Sequence, residues 1–331
     1  MREPAFWWKP GGGGLLSPLA AVYGAVAASR MHAEGRRAGV PVVCLGNLTV
    51  GGAGKTPAAI MVARLLLAAR EHPFFLTRGY GGRLRGPVRV DSGAHNAADV
   101  GDEPLLLARL APTIVACERV AGAAAAQRGG ATAIVMDDGF QNPSLVKDLS
   151  ILVVDGRRGI GNGRMIPAGP LRAPLNMQMS RAQALVLIGP ADGAAALFEV
   201  ARRYDVRVFH GRLEPERRAL TAVGTRKVLA FAGIGNPEKF FVTLAEAGVE
   251  VAERASFPDH HRYTAAEARA LLKRAEAANL VLLTTEKDFA RLSGAPHLAT
   301  LAARASALPV RLAIEDHDTF RDMIVQGVKR R

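Results

Sequence analysis

The sequence predicts an α/β protein with a mostly parallel sheet covered by helices on both faces, followed by a smaller C-terminal α/β domain. Three observations lead to this prediction. Short apolar runs rich in β-branched residues alternate with helical segments along the 331-residue chain, an order typical of parallel sheets. The apolar runs are continuous, as expected for strands buried on both faces. A glycine-rich segment joins the first of these strands to a helix.

Composition and charge limit the class of protein. Hydrophobic residues make up 49% of the chain and charged residues 22%, which excludes a mostly disordered protein. The formal net charge of +13 predicts an anionic partner, which could be nucleic acid, a membrane surface or a phosphorylated substrate. Cys44 and Cys117 are too few for a disulfide framework, which favours a reducing, cytoplasmic compartment.

Residues 1–38 are predicted to be an N-terminal helical segment of the first domain. The uncharged stretch Gly11–Ser29 contains four glycines in a row and Pro18, which make it too interrupted to span a bilayer. A helix instead begins at Ser17-Pro18, with serine as the cap and proline at the first helical position. Its apolar face consists of Leu19, Val22, Tyr23 and Val26.

Two interpretations of this helix remain open. Aromatic residues at Phe6–Trp8 precede it and Arg30, Arg36 and Arg37 follow it, as in helices that lie at a membrane interface. The alternative is an ordinary amphipathic helix whose apolar face packs on its own domain.

Residues 39–212 form the predicted core domain. Its helices include Pro57–Arg70 and Arg119–Arg128. Its predicted strands are Val42–Leu45, Phe74–Thr77, Thr113–Ala116, Ala133–Met136, Ile151–Val154, Leu185–Ile188 and Val206–Phe209.

A polar linker over residues 213–222, which contains Pro215, separates this core from a C-terminal domain over residues 223–331. The predicted helices of that domain are Pro237–Ala247 and Ala265–Ala278. Its predicted strands are Val228–Phe231, Val249–Glu253, Leu280–Thr284 and Val310–Ile314.

The segment Gly46–Pro57 predicts a P-loop, because it follows a strand and opens a helix. Glycines allow backbone N–H groups to turn around phosphate oxygens. We expect Lys55 to reach the β- and γ-phosphates and the Thr56 hydroxyl to hold Mg²⁺. Thr49 stands where the motif usually has its first glycine, and the alternative is a glycine-rich turn with a chance Gly-Lys-Thr. The predicted nucleotide-binding residues are Thr49, Val50, Gly51, Gly52, Ala53, Gly54, Lys55 and Thr56.

A P-loop NTPase-like core also requires an acid near the metal, at the end of an apolar strand. Asp137 and Asp138 follow the strand Ala133–Met136 and are predicted to bind Mg²⁺. The alternative is a strand that ends in a solvated Asp-Gly turn. The segment Thr285–Asp288 does not match the guanine-binding Asn-Lys-x-Asp pattern, so we expect the nucleotide to be ATP.

Several further motifs, taken in order, resemble the tetraacyldisaccharide 4'-kinase family, the lipid A kinases of Gram-negative bacteria. The resemblance covers nearly the whole chain, and it departs from the family at Asn142, where histidine is frequent, and at Ala173, where glutamate is frequent. The motifs are Gly46–Pro57, Thr77–Gly81, Val100–Pro104, Asp137–Gln141, Gly161–Gly163, Pro167–Arg172, Phe231–Pro237, Phe257–His261 and Leu283–Asp288, with Phe6-Trp7 and Leu15–Leu19 at the start.

The resemblance implies a reaction and a location. The expected activity is ATP-dependent phosphorylation of the 4'-hydroxyl of a tetraacylated glucosamine disaccharide 1-phosphate, which forms lipid IVA, with ATP and Mg²⁺ as cofactors. The expected location is the cytoplasmic face of the bacterial inner membrane, where the protein is monotopic. The anionic membrane surface and the substrate phosphate would account for the positive net charge.

The resemblance also implies that Asp102 and His260 act together as the general base. His261 is adjacent and could take the role of His260, and either histidine could instead cap a helix or fill the core. Arg78 is a candidate to neutralise charge in the transition state, or a solvated loop cation. Glu103 and Gln141 are candidates for ligands of the metal or of its water molecules.

Two functions from other classes remain as rivals. A P-loop ATPase acting on nucleic acid would use the basic charge for phosphate contacts, but no lysine-rich or aromatic-interleaved basic stripe is present. We therefore expect no nucleic-acid partner. A membrane-bound nucleotide switch would be favoured by a guanine-binding motif, which is missing.

Overall fold

The computed structural model describes residues 3–329, and within this range the strands form a nine-stranded and a four-stranded sheet. The helices are α1 Ser17–His32, α2 Lys55–Ala68, α3 Ala97–Val100, α4 Asp102–Ala108, α5 Arg119–Arg128, α6 Leu175–Met179, α7 Ala195–Arg203, α8 Arg217–Val223, α9 Pro237–Glu246, α10 Ala265–Ala277, α11 Glu286–Leu292, α12 Ala299–Arg304 and α13 His317–Lys329. The strands are β1 Val42–Gly46, β2 Pro73–Thr77, β3 Val88–Arg89, β4 Thr113–Val115, β5 Ala133–Asp137, β6 Leu149–Asp155, β7 Ala184–Ile188, β8 Arg207–Pro215, β9 Val228–Ala232, β10 Val251–Ser256, β11 Val281–Thr285, β12 Ala305–Leu308 and β13 Val310–Ile314.

The large sheet has the order β13-β8-β7-β6-β1-β5-β2-β4-β3. Its pairs are parallel except at the two edges, where β3 runs antiparallel to β4 and β13 antiparallel to β8. One face packs on α2 and α13, and the other packs on α5 and α7. Burial on both faces explains why the central strands are continuous apolar runs. The predicted fold class is confirmed.

The small sheet has the order β10-β9-β11-β12, and all of its pairs are parallel. Its two faces bury separate apolar cores, one centred on Phe231 and Leu271 and the other on Phe241 and Leu283. Strand β12 was not predicted, because its sequence Ala-Ser-Ala-Leu carries little β-branched or aromatic signal.

The prediction for the end of the chain was wrong about its sheet. Val310–Ile314 forms a strand, but it pairs with β8 at the edge of the large sheet rather than in the small one. Helix α13 follows it, and Phe320 and Ile324 enter the core beneath α2. The predicted linker over 213–222 is likewise structured, because β8 continues to Pro215 and α8 begins at Arg217. After Gly211 strand β8 extends past β7 and pairs with β13, and its residues alternate in exposure. This part of the strand therefore lacks the continuous apolar run on which the prediction depended.

Helix α1 begins at Ser17 as predicted, with Pro18 in its first turn. The prediction that Ser17 caps the helix was wrong. Leu16 occupies the cap position without a side-chain hydrogen bond, and the Ser17 hydroxyl accepts a hydrogen bond from Arg164 Nη1 at 2.6 Å. Among residues 3–329 no helix is long and apolar enough to cross a bilayer.

Candidate active site

The P-loop joins β1 to α2 at the carboxyl edge of the large sheet, where open α/β sheets bind ligands. Gly51 and Gly54 adopt φ angles of 107° and 97°, a region that side chains other than glycine rarely enter. Gly54 precedes the first residue of α2. A Cβ atom built on Gly52 would meet nothing within 4 Å. The loop therefore offers open backbone N–H groups and a helix N-terminus, the arrangement that binds phosphate.

Five side chains around this loop form what we call the P-loop cluster: Lys55, Thr56, Asp137, Asp138 and Arg172. Thr56 Oγ1 lies 3.5 Å from Asp137 Oδ2, and Lys55 Nζ lies 3.7 Å from Asp138 Oδ1. Burial raises the pKa of Asp137 and would also raise that of Asp138, but Lys55 and Arg172 outweigh burial there and lower the pKa of Asp138 to about 2. The pKa values of the two neighbouring acids are therefore shifted in opposite directions.

Asp137 supplies the observation that best tests whether a metal ion fits this site. Its Oδ1 atom is buried and has no hydrogen-bond partner among the described residues. A buried carboxylate oxygen without a partner is costly. A hydroxyl and carboxylate oxygens are also the ligands that Mg²⁺ prefers. The residues present fit a magnesium ion beside the P-loop.

Sequence reasoning missed Arg172, although it lies in the motif Pro167–Arg172. Its Nη1 atom donates to Asp138 Oδ1 at 2.7 Å, and its Nε atom donates to the Thr49 carbonyl at 3.1 Å. The backbone of the same segment also braces the P-loop, because Val50 N donates to the Pro170 carbonyl at 2.9 Å. Arg172 thus links Asp138 to the backbone of the P-loop.

Gln141 has a different set of contacts from those predicted for a metal ligand. Its Nε2 atom donates to the Asn47 carbonyl at 2.7 Å and to Gln178 Oε1 at 2.9 Å. Gln178 is fully buried and donates in turn to the Leu48 carbonyl at 3.3 Å. These bonds hold the backbone that leads into the P-loop.

A second cluster, which we call the Asp–His cluster, consists of Asp102, Glu103, His260, Lys287 and Arg291. Asp102 opens α4, and His260 lies in the loop after β10, so the large and small sheets each contribute. Asp102 Oδ2 lies 3.4 Å from His260 Nδ1. The structure therefore brings together the two residues predicted to act as a pair.

The neighbouring His261 turns away from Asp102. Its Nε2 atom bonds both carboxylate oxygens of Glu267 at 3.0–3.1 Å, and its ring stacks on Phe257 with centroids 4.9 Å apart. The ring of His260 instead lies against Tyr80, 5.0 Å between centroids. Of the two histidines, only His260 faces the core domain.

Two cations neutralise the carboxylates of this cluster. Lys287 Nζ lies 2.8 Å from Glu103 Oε1, and Arg291 Nε donates to Asp102 Oδ2 at 2.7 Å. Burial opposes ionisation of Asp102, but its hydrogen bonds and these cations keep its pKa well below 3.8. The hydrogen bond to Asp102 raises the pKa of His260 above 6.5.

Glu103 was predicted to contact the metal, and its position is less favourable than that of Asp137. One ligand atom from each of Asp102, Glu103 and His260 lies within 4.8 Å of the others, a spacing that could hold a cation. Lys287 and Arg291 already supply two positive charges there. A metal ion would have to displace the ammonium of Lys287 or be repelled by it.

Arg78 lines a cavity of about 220 Å³ beside the Asp–His cluster, together with Tyr80, Arg85 and Cys117. Arg119 lies close by; it is buried and its Nε atom has no partner among residues 3–329. Burial lowers the pKa of Arg119, and the charge of Arg78 lowers it further. The two guanidinium groups that line the cavity, those of Arg78 and Arg85, make it suited to an anion.

The small sheet lies over the P-loop. A Cβ atom built on Gly235 would lie 3.5 Å from the Gly52 backbone nitrogen. Lys239 Nζ on α9 pairs with Asp155 Oδ2 at the end of β6, 3.0 Å away. The charge of Lys287 in the Asp–His cluster also acts on the pKa of Lys55, Asp137 and Asp138 in the P-loop cluster. The two clusters are therefore neighbours at the junction of the two sheets.

Comparison with known proteins agrees with this arrangement. A sequence profile of the family described as tetraacyldisaccharide-1-P 4'-kinase matches residues 13–329. The chain belongs to this family. Tetraacyldisaccharide 4'-kinases of two Rhodopseudomonas palustris strains are similar throughout: that of strain BisB5 is 50% identical over 332 residues, covering 100% of this chain and 98% of the relative. That of strain BisA53 is 52% identical over 326 residues, covering 98% and 95%.

A solved structure supports the same assignment. The LpxK protein of Aquifex aeolicus, crystallised in complex with ATP, superposes on this chain with a TM-score of 0.73 and 27% sequence identity. The match covers 96% of this chain and 99% of that protein. The resemblance to tetraacyldisaccharide 4'-kinases is therefore confirmed from sequence and from structure.

The two departures from the usual tetraacyldisaccharide 4'-kinase pattern lie outside both clusters. Asn142 Oδ1 accepts a hydrogen bond from the Ser144 backbone at 2.9 Å, so it shapes the turn after Phe140. Ala173 is fully buried and its carbonyl accepts from Gln178 Nε2 at 2.7 Å. A glutamate side chain at position 173 would need space that this packing does not leave.

Proposed function

We propose that the P-loop cluster binds the phosphates of ATP and that the Asp–His cluster activates the acceptor hydroxyl in the reaction of this family. That reaction is 4'-phosphorylation of tetraacyldisaccharide 1-phosphate in lipid A biosynthesis, which yields lipid IVA. The observation that carries the proposal is that the two clusters are neighbours at the junction of the two sheets, because phosphoryl transfer requires a phosphate site and an acceptor site next to each other.

The nucleotide site uses backbone and side-chain groups of one loop. The open N–H groups of Gly51–Gly54 and the start of α2 would hold the phosphates, and Lys55 would neutralise the transferred group. Thr56, Asp137 and Asp138 would hold Mg²⁺, which when bound neutralises phosphate charge. The unpartnered Asp137 Oδ1 supports this ligand set. Arg172 would keep Asp138 oriented.

The acceptor site is built for proton removal. Asp102 stays ionised and shares its Oδ2 atom with His260. As the 4'-oxygen of the sugar bonds to the γ-phosphorus, the bond from that phosphorus to the leaving ADP oxygen breaks. The hydroxyl proton passes to the Asp102–His260 pair, since a positioned base lowers the barrier for a weakly acidic hydroxyl.

The arginine-lined cavity would take an anionic group of the acceptor or of the transferred phosphate. Arg78 is exposed at the cavity mouth, where it can reach such a group. The acceptor is a phosphorylated lipid, so a cationic pocket beside the Asp–His cluster matches its charge.

Helix α1 supports attachment to an anionic membrane surface. Leu19 and Val22 are 61% and 65% exposed, and Tyr23 and Val26 are also exposed. This exposure of the apolar stripe supports membrane contact over packing on the protein's own domain. Arginines nearby and the +13 charge favour anionic lipids, and we place the enzyme on the cytoplasmic face of the inner membrane.

The test of the reaction is a detergent-micelle assay with γ-labelled ATP, Mg²⁺ and the tetraacyldisaccharide 1-phosphate. We expect label in the lipid product with wild-type protein and a loss of at least about 100-fold in turnover with Asp102→Asn. Lys227→Met is the matched control, because Lys227 is exposed and its ion pair is with the exposed Glu250, 2.8 Å away. Label in free phosphate alone would contradict the kinase proposal.

Membrane attachment has its own test. A Leu19→Ser/Val22→Ser protein should bind anionic vesicles at least about tenfold more weakly, because each large apolar side chain contributes about 1.5–3 kcal/mol when buried. Sedimentation with vesicles of phosphatidylglycerol measures this. Val242→Ser, which removes an exposed valine on α9, is the control. Equal sedimentation of all three proteins would exclude α1 as the membrane contact.

A further inference from the structure

Arg291 is the most buried cation of the Asp–His cluster, and no step of the proposed reaction uses it. It lies on α11 with 7% of its side chain exposed. Its Nε and Nη2 atoms both donate to Asp102 Oδ2. Its Nη1 atom donates to the Gly233 carbonyl at 2.7 Å and to Asp288 Oδ1 at 2.8 Å.

The Gly233 carbonyl links Arg291 to His260. The His260 backbone N–H donates to this same carbonyl at 3.1 Å. His260 has a φ angle of 54°, a left-handed conformation that is uncommon outside glycine and persists only where neighbours hold it. One guanidinium therefore contacts the carboxylate of Asp102 and the carbonyl that fixes the backbone of His260.

Asp288 fixes the position of the Arg291 guanidinium within the small-sheet domain. It is fully buried, and it accepts hydrogen bonds from Gly233 N at 3.0 Å, Tyr263 Oη at 2.8 Å and Thr285 Oγ1 at 2.6 Å. These bonds lie within the small-sheet domain. Arg291 is thus held by its own domain, and within residues 3–329 its hydrogen bonds to the core domain go to Asp102.

We propose that Arg291 is a positioning residue, which sets the distance and orientation between the Asp102 carboxylate and the His260 ring. This inference rests on the proposed role of that pair in proton removal. Guanidinium geometry is central to it, because a planar group with fixed N–H directions can hold three acceptors at once, whereas an ammonium cannot impose the same angles. Lysine at this position would keep the charge and lose the orientation.

The experiment compares Arg291→Met and Arg291→Lys in steady-state kinetics and in ADP binding by calorimetry. For Arg291→Met we expect kcat to fall about 100-fold, since a displacement near 1 Å at reacting groups has an effect of that size. The KM for ATP and the Kd for ADP should stay within about twofold, because the P-loop cluster is untouched. Arg291→Lys should recover part of kcat, and added guanidinium ion should restore part of the activity of Arg291→Ala.

Two controls separate positioning from loss of a domain contact. Arg109→Gln removes another ion pair between the domains, Arg109 to Glu286 at 3.8 Å, and should leave kcat unchanged. Thermal unfolding is measured for each variant. If Arg291→Met does not fold, Arg291→Lys replaces it in the experiment. The expected result is then a lower kcat than that of the wild type at the same unfolding temperature. A decrease in ADP affinity equal to the decrease in kcat would overturn the proposal.

A double-mutant cycle keeps this inference distinct from the proposed function. If Asp102→Asn and His260→Ala retain wild-type turnover, the pair itself is not the base and the proposed function fails at that step. If those variants lose turnover while Arg291→Met does not, only the inference fails. If Arg291→Met adds little to the loss already caused by His260→Ala, positioning is supported, because residues acting as a unit are not additive.

Discussion

The P-loop cluster and the Asp–His cluster are neighbours in the structure but are assembled in opposite ways. The first is built at one edge of a single sheet, where backbone geometry places Lys55 and Thr56 directly before the acids at the end of β5. The second joins α4 of the core domain to the 260 loop and α11 of the small-sheet domain through ion pairs. The proposed nucleotide site is therefore built by residues of one domain, whereas the proposed acceptor site combines residues of two.

The largest effect should follow loss of the central cation in the P-loop cluster. We expect Lys55→Met to lower kcat/KM by about 1,000-fold, because a preorganised charge on the transferred phosphate is removed from a buried site. ADP binding should weaken as well, since the loss lies in the nucleotide site. Calorimetry and the lipid kinase assay measure both. Unchanged ADP binding would place Lys55 in the acceptor site and break the division between the clusters.

A smaller effect, on turnover and not on nucleotide binding, is expected from Gly101→Ala. Gly101 has a φ of 91° and ψ of 166°, and a Cβ atom there would lie 2.5 Å from the Tyr80 carbonyl oxygen. The substitution should displace Asp102, lower kcat about 100-fold and reduce stability by about 1–3 kcal/mol. ADP affinity should be unchanged.

Gly248→Ala is the matched control for this prediction. Gly248 also has a positive φ, 77°, but a Cβ atom would meet nothing within 4 Å. It should lose about 1–2 kcal/mol of stability and retain kcat. If it reduced turnover as much as Gly101→Ala, general destabilisation rather than displacement of Asp102 would explain both.

Substitutions of Arg172 test whether the P-loop cluster requires the hydrogen bond between Arg172 and Asp138. Arg172→Gln should raise the KM for ATP and lower kcat, together by about 10- to 100-fold, since it breaks a charge-assisted bond to Asp138. Arg172→Lys should fall between this variant and the wild type, because it keeps charge without the second bond to Thr49. Arg202→Gln, an exposed i,i+3 pair with Glu199, should have wild-type kinetics.

The smallest effect concerns pH and only the Asp–His cluster. The pKa of His260 is raised by the hydrogen bond to Asp102, and the charges of Glu103 and Asp259 raise it further. A raised pKa in the folded state means that the stabilising contact is complete below pH 6.5 and is lost as the pH rises through the folded-state value. The loss should not exceed about 1 kcal/mol, as for other partly exposed pairs.

Unfolding of wild-type and His260→Gln proteins from about pH 5 to about pH 9 measures this contribution. Their difference in unfolding free energy should shrink as the pH rises. A difference that grows with pH would mean that His260 is neutral when it contacts Asp102.

These contrasts explain how much could be predicted from sequence. The P-loop cluster was largely predictable, because Gly51–Thr56 and Asp137 lie at fixed distances from strand and helix boundaries that periodicity reveals. Asp102 and His260 were named only through the family resemblance, since 157 intervening positions carry no local signal of their contact. Arg172, Lys287 and Arg291 were not identified as site residues, because ion pairs between distant segments leave no periodic pattern.

The same limit applies to the fold. Central strands such as β1 and β5 were predicted within one residue of their ends, because burial on both faces produces continuous apolar runs. The sheet to which β13 belongs was not, since an edge strand of either sheet would have the same sequence pattern. Hydrophobic periodicity reports burial of a segment, and it does not report the identity of the neighbour.

The segment that carries Arg172 has a practical consequence for work on this enzyme. Asn162 Nδ2 donates to the carbonyls of Phe6, Gly12 and Ala168, and Trp7 Nε1 donates to Pro167 at 3.0 Å. Residues just before α1 are therefore part of the support under the P-loop. A truncation that removes α1 to improve solubility would also remove these hydrogen bonds to the segment that supports the P-loop. Weaker ATP binding by such a truncated protein would then reflect the loss of this support rather than the loss of membrane contact.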